Sequence, residues 1–402
     1  MPDYLMPDTC ILLTLCAGRS IIETDKLYAS GSLSVRYIGA KAKLTDFLKD
    51  SFLSVKPRGN VLADLFAGTA AASVLFKKMG YTLITNDIME YSYAKQVSAV
   101  KICSQPEFSG VAREEGGGKR KNSSSLFPHT TPLEKVVSHL NSLSPRSGFV
   151  TRKYSPLGGR RFFTLQNAGR IDAIREKLNQ WRTSKAVTED EYYLLLAALL
   201  DAADSVANTA GTYGAFLKHW SANSTKSMKL KAPQIVESAN SSHRCFCRDT
   251  FTLLSDAALG RFDILYLDPP YNERDYSRNY HVLEVIARGW FDRKPRVYGK
   301  SGLVREIPSS LFCSEQTCCE ALDEVIRKAV ENCDAKHLFL SYNSEGIIPD
   351  RAVRAVFREY GKPRTFRRFE HAYKRYRSDS DGKKRKYSGD RVIEYLYYVE
   401  AR

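Results

Sequence analysis

The sequence predicts an α/β fold, a largely parallel sheet with crossover helices, split by a long basic insertion. Three observations predict it. Val61 to Phe66 is a short apolar run broken by Ala67-Gly68-Thr69, followed by a helical pattern and a second strand-like run ending in Asn86-Asp87. The same sheet pattern resumes only at Phe262. The positive charge is also uneven. Of 402 residues, 61 are Lys or Arg and 45 are Asp or Glu, a net charge of +16. Residues 101–186 hold 16 basic and 6 acidic residues, and residues 351–386 hold 14 and 4. The remaining 280 residues therefore sum to −4.

Each element follows from local pattern. The first 30 residues have weak periodicity and read as a leader. Ala70 to Met79 reads as a helix ended by Gly80, Thr82 to Asp87 as a strand, and Tyr91 to Val100 as a second helix. Strand, Gly turn, helix, strand and acid is the opening of a parallel sheet. Residues 104–125 have an exposed-loop composition, with Gly116-Gly117-Gly118 and Ser123-Ser124-Ser125. Leu133 to Trp181 is basic and mixed, and Glu189 to Ala207 is a helix with an apolar face. Asp263 to Leu267 is a strand with Asp268 at its end, and Arg278 to Gly289 a helix. His337 to Tyr342, Thr365 to Tyr373 and Arg391 to Glu400 read as strands, and Asp350 to Tyr360 as a helix. The expected organisation is a leader (1–30), a main domain (31–100 and 241–402), and an inserted recognition region (101–240).

Composition excludes several classes. The chain is 43% hydrophobic and 26% charged, which is ordinary for a globular protein. No apolar run approaches about 18 residues, so no membrane span is expected. Cys10 to Ala17 is apolar but short, with no Lys or Arg before it, so a secretory signal is not expected and the location reads as cytoplasmic. The nine cysteines lack zinc-site spacing and read as reduced thiols, with no metal. A near-neutral frame carrying two basic segments fits an anionic polymer, nucleic acid above all.

Two constellations carry chemistry. In Asp64-Leu65-Phe66-Ala67-Gly68-Thr69, glycine at a strand-to-helix turn lets a ligand approach the backbone near free helix N–H groups. Asp87 ends the next strand, where a carboxylate accepts from ribose hydroxyls. The three-glycine dinucleotide fingerprint is absent, so a nucleoside without a pyrophosphate suits the turn better. The second is Asp268-Pro269-Pro270-Tyr271, at the exit of a buried strand. A carboxylate and a carbonyl oriented by proline can both accept from an exocyclic amine on a nucleobase. The aromatic ring can stack on a base taken out of the helix, worth roughly 1–3 kcal/mol.

From about Val35 to Glu400 the chain resembles the S-adenosylmethionine-dependent N6-adenine DNA methyltransferases of the alpha motif order. Asp268-Pro269-Pro270-Tyr271 matches the family's catalytic motif, and Asp64 to Thr69 its cofactor loop, with Asp64, Phe66 and Gly68 in the pocket. The resemblance implies a Rossmann-like fold with a seven-stranded mixed sheet. It makes Asp87 the ribose-binding acid and Asp249 an acid facing the cofactor adenine. Tyr37-Ile38-Gly39-Ala40-Lys41 is similar to the N-terminal motif that closes over the methionine part of the cofactor, through Tyr37, Gly39 and Lys41. Asn208 to Lys218 resembles the end of the DNA-recognition region, which puts Asn208, Tyr213 and Lys218 at DNA. Asn272 to Glu284 is similar to a subgroup associated with restriction–modification systems, and that resemblance implies a partner endonuclease. Arg274, Lys374 and Arg375 are further DNA-contact candidates, as are Arg278, His281 and the run Lys383 to Lys386. The implied substrate is double-stranded DNA, bound by a monomer.

Two residues depart from the pattern. Ala40 and Ala70 stand where the family usually has glycine, and each adds a Cβ near the cofactor. The residues leave open N4-cytosine or RNA adenine as the methyl acceptor, and a DNA-binding protein without activity. A nicotinamide dehydrogenase is disfavoured by the missing glycines and the positive charge.

Overall fold

The computed structural model describes residues 44–115, 130–273, 276–292, 294–307, 309–374 and 391–402. Its strands are β1 (Val61–Asp64), β2 (Thr82–Asp87), β3 (Arg244–Cys247), β4 (Ile264–Leu267), β5 (Val297–Tyr298), β6 (Leu303–Val304), β7 (His337–Asn343), β8 (Arg367–Lys374) and β9 (Arg391–Glu400). Seven form one mixed sheet in the order β3-β2-β1-β4-β7-β9-β8, while β5 and β6 make a separate hairpin. The first five strands of that order are parallel, and β9 runs antiparallel to both β7 and β8. The central strands are short, apolar and buried, as a sheet covered on both faces requires.

The helices are α1 (Thr45–Val55), α2 (Ala71–Lys78), α3 (Glu90–Gln96), α4 (Ser109–Glu115), α5 (Pro132–Ser142), α6 (Phe149–Tyr154), α7 (Leu165–Thr183), α8 (Glu189–Ser205), α9 (Thr250–Leu254), α10 (Tyr276–Asn279), α11 (His281–Arg288), α12 (Cys318–Cys333) and α13 (Asp350–Tyr360). Alternation along the strands separates two cores. Leu62, Ile264, Tyr266 and Phe339 pack with Phe52 of α1 and Leu75 and Phe76 of α2. Ala63, Leu265, Leu338 and Leu340 face the other way, against Leu322, Val325 and Ile326 of α12 and Val353 and Phe357 of α13.

A third core belongs to the insertion. Helices α4 to α8 lie in the sequence between β2 and β3, and no described strand interrupts them. Thr131 with Glu134 and Thr188 with Glu191 form capping boxes that start α5 and α8, satisfying orphan N–H groups at each N-terminus. Leu195, Leu199 and Leu200 of α8 share this core with Tyr91 and Ala94 of α3 and with Val282, Leu283 and Ile286 of α11. Lys95 of α3 is buried and ion-paired to Asp201 of α8. The expected insertion is thus continuous with the main body through one core. No described helix is long and apolar enough to cross a membrane.

Candidate active site

Strand order reverses at β1. The chain moves outward from β1 to β2 and β3, then returns to place β4 on the other side of β1. Such a switch point opens a crevice at the carboxyl ends of the strands, where α/β sheets bind ligands. Asp64 ends β1, beside Thr85 of β2 and Tyr266 of β4. Asp268 follows β4 directly, so the two constellations flank this crevice.

The turn after β1 is tightly held. Ala67 N–H donates to Asn86 O (3.0 Å), Gly68 N–H to Asp87 Oδ2 (3.0 Å), and Ser92 Oγ to Gly68 O (2.6 Å). Asp87 Oδ1 accepts from Met89 N–H (3.0 Å), which fixes the carboxylate at the end of β2. Burial pushes the Asp87 carboxyl up, against the hydrogen bonds from Met89 and Gly68. Gly68 has φ +53, in the left-handed region. Ala70 has φ +62 and is fully buried at the N-cap of α2. The alanine that departs from the family pattern therefore occupies a backbone conformation that costs a non-glycine residue about 1–2 kcal/mol.

Asp64 is buried, and its Oδ2 accepts from Ser73 Oγ (2.5 Å). Its Oδ1 has no hydrogen-bond partner among the described residues. Burial pushes its pKa up to about 7; Ser73 opposes this, Asp268 adds to it, Phe66 N–H opposes, and Asp87 adds. A buried acid of this kind, with one oxygen unmatched, fits a cationic group such as a ligand's ammonium.

On the other wall, Asp268 and Tyr271 are partly buried, and Pro269 is buried. Tyr271 packs against the core formed with α12 and α13, and its carbonyl accepts from Ile347 N–H (3.0 Å). The loop after β7 is anchored in turn: Tyr342 Oη accepts from Ile348 N–H (3.1 Å), and Asn343 Oδ1 from Glu345 N–H (3.0 Å). The motif is thus braced by the next strand's exit.

Residues 37–355 match the family model of D12 class N6 adenine-specific DNA methyltransferases. The chain belongs to that family. It is 33% identical over 370 residues to the type II methyltransferase M.FokI of Planomicrobium okeanokoites, covering 91% of this chain and 52% of that protein. It is also 33% identical over 371 residues to M.NlaIII of Neisseria lactamica, covering 91% and 99%. The type II methyltransferase M.CviAII of Paramecium bursaria Chlorella virus 1 is 32% identical over 374 residues, covering 91% and 98%. The chain thus spans about half of M.FokI and nearly the whole of the other two.

Within this D12-class chain the remaining candidates fall in different places. Tyr37, Gly39, Lys41, Arg274, Arg375 and Lys383 to Lys386 lie outside the described residues, and Lys374 is described only as the last residue of β8. Asp249 is exposed and caps α9, its Oδ1 accepting from Thr252 N–H and Oγ1 (both 2.9 Å). Lys218 and Arg278 are exposed. Asn208 and Tyr213 correct the expectation of a direct DNA contact, because both are fully buried. Asn208 Nδ2 donates to Leu217 O (3.1 Å) and its Oδ1 accepts from Ser221 N–H (3.0 Å), while Tyr213 Oη donates to Asp204 Oδ1 (2.9 Å). They shape the loop that presents Lys218. His281 is also fully buried, its ring nitrogens 2.8 Å from Arg278 O and 2.9 Å from Ser301 O.

Sequence reasoning missed three residues that hold the site. Asn86 is fully buried, its Nδ2 donating to Arg248 O (3.0 Å) and its Oδ1 accepting from Arg248 N–H (3.1 Å), which ties the ends of β2 and β3 together. Glu284 in α11 is fully buried and accepts from the N–H groups of Glu90 and Tyr91 (3.1 Å each) and from Arg288 Nε (2.6 Å). It caps α3, the helix that follows Asp87. Arg175 of α7 donates from Nε to Ile286 O (2.8 Å) and from Nη2 to Ala287 O (3.1 Å), closing the other end of α11. A buried amide at a strand end and two charged residues inside helices gave no local signal of these roles.

Proposed function

We propose that this protein is a site-specific methyltransferase that transfers a methyl group from S-adenosylmethionine to N6 of adenine in double-stranded DNA. The observation that carries this is the meeting of the Asp64–Thr69 loop and the Asp268–Tyr271 motif across one strand-order reversal. When bound, S-adenosylmethionine supplies a methyl group already activated by its sulfonium. Asp87 accepts from the ribose hydroxyls, Gly68 gives the backbone close approach, and Asp64 Oδ1 pairs with the ammonium of the methionine part. Tyr37, Gly39, Lys41, Phe66 and Asp249 complete the pocket in this reading.

Asp268 and the Pro269 carbonyl accept the two N–H bonds of the adenine amine, localising its lone pair and aiming it along the attack line. Asp268 acts as an acceptor, and the amine's proton leaves after transfer. Tyr271 stacks on the flipped base, which offsets part of the few kcal/mol needed to unstack it. The insertion, with exposed Lys218, and Arg274, Arg278, Lys374 and Arg375 supply DNA contacts. The similarity to type II methyltransferases supports a role beside a restriction endonuclease.

The test is expression in cells that lack DNA methylation, followed by mass spectrometry of the digested nucleosides. N6-methyladenine should appear with the intact protein and vanish with Asp268→Ala, while the variant still binds DNA. N4-methylcytosine instead, or retained transfer by the variant, would overturn the assignment of base or mechanism respectively.

A further inference from the structure

A second concave site lies at the opposite end of the sheet. The strand β7 runs from His337, opposite Glu400, to Asn343 at the crevice end. Helix α13 runs back from the crevice side and finishes beside the end of β9, where Gly361 bridges Ala401 and Lys362 N–H donates to Glu400 O (2.7 Å). Six residue steps along β7 separate the two ends by about 20 Å.

There a pocket of about 380 Å³ is lined by Arg354, Arg358, Lys362, Arg364 and Arg402, together with Phe357 and Phe366. Two of these cations are matched, Arg354 Nε by Asp350 Oδ2 (2.6 Å) and Lys362 by Glu400. Asp350 is further shared with Arg368 (2.9 Å), so it has little charge to spare. No carboxylate of a described residue pairs with Arg358, Arg364 or Arg402. Arg402 is held in place by carbonyls, donating to Gly361 O (3.1 Å) and Arg358 O (3.2 Å). Arg364 sits at φ +68, a conformation that side chains other than glycine rarely adopt. The turn that carries it is fastened by Thr365 Oγ1 donating to Lys362 O (2.8 Å). The Arg354 guanidinium lies 5.2 Å from the centre of the Phe366 ring, so the wall combines cation and aromatic surface.

Like charges gathered in a concavity repel one another, and a multiply charged anion relieves that repulsion. Guanidinium groups match phosphate oxygens in bidentate geometry. We propose that this pocket binds a phosphate group, at a site separate from the methyl-transfer crevice. The phosphate can come from a small phosphorylated molecule or from a DNA backbone that extends past the sheet, and the two sources are separable.

Inorganic pyrophosphate is the first probe, titrated calorimetrically at low salt into the full chain and into the double variant Arg358→Gln/Arg364→Gln. It lacks an adenosine part and does not mimic the methyl donor. Binding by the wild type that weakens at least tenfold in the variant, with unchanged salt dependence of duplex binding, supports a small phosphate ligand. The second arm measures duplex affinity against salt. A slope reduced by about 0.9 in the variant, for the one phosphate no longer neutralised, supports the DNA backbone as the source. Unchanged methyl transfer to a short duplex confirms that the variant is folded. Equal pyrophosphate binding or none in both proteins, together with an unchanged salt slope, overturns the proposal.

Discussion

Asp64 offers the sharpest test of the cofactor reading. Its carboxyl is buried, has one unmatched oxygen, and has its pKa pushed up to about 7. At pH 6 such a group is about one-tenth ionised. An ammonium ligand needs the ionised form, so its affinity should rise about tenfold from pH 6 to pH 7.5, about 1.4 kcal/mol. The rise should end near pH 8, where the ligand's own α-amino group begins to lose its proton. Asp64→Asn removes the charge but keeps an acceptor for Ser73. At about 4 Å and an effective dielectric near 20, the lost attraction is up to about 4 kcal/mol, and an affinity loss of about 10²-fold is expected. The assay is calorimetric titration of S-adenosylmethionine from pH 5.5 to 7.5 in buffers of different ionisation enthalpy. Wild type should release protons on binding, and the variant should not. Stability runs the opposite way with pH. The raised acid favours the protonated folded state, so its contribution is full below about pH 4 and is lost as pH rises through about 7. Asp64→Asn should therefore gain up to about 4 kcal/mol over wild type at pH 8. A variant that binds within threefold of wild type, with the same pH profile, would refute the assignment.

Two further substitutions probe the frame. Glu284→Ala should cost about 2–4 kcal/mol in urea unfolding, because it orphans the backbone N–H groups of Glu90 and Tyr91 at the start of α3. Glu284→Gln should cost less, since one oxygen remains; a loss under about 1 kcal/mol for the alanine variant would contradict the capping role. Gly68→Ala should cost about 1–2 kcal/mol in the same assay from its left-handed backbone, and should also weaken S-adenosylmethionine binding. Full affinity in that variant would place the ligand away from the turn.

Much of the sheet was legible because buried parallel strands are short apolar runs with acids at their exits. β1, β2, β4, β7 and β9 fall within a residue or two of expectation. β3 was missed since its Arg244-Cys245-Phe246-Cys247 is only half-buried at the sheet edge, and its cysteines drew a redox reading instead. α12 was hidden the same way, although Cys318, Leu322, Val325, Ala329 and Cys333 share its buried face. α7 escaped because its interior face includes Asn167, Asp172 and Arg175, so the apolar period is broken. Asp172 accepts from the N–H groups of Gly148, Val150 and Thr151, a long-range cap that no local pattern announces. In the site, motif positions were readable as chemistry. Their supports were not, because Asn86 and Glu284 act through backbone atoms distant in sequence. Asn208 and Tyr213 show the opposite failure, since a motif position implied contact where packing makes it interior.

The double grip on α11 bears on how target specificity can diverge. Glu284 fastens this helix to α3, which follows Asp87, and Arg175 fastens its far end to the insertion. The segment that follows Asp268–Tyr271 is therefore a shared part and belongs to neither module alone. Gly289 reinforces this, since a Cβ there would lie 2.6 Å from Arg175 Nη2. An insertion transplanted from a relative that reads another sequence would arrive without its matching clamp. Chimeras cut at the insertion boundaries should lose turnover even when they hold DNA. Chimeras that carry α11 and Gly289 along with the graft should regain it.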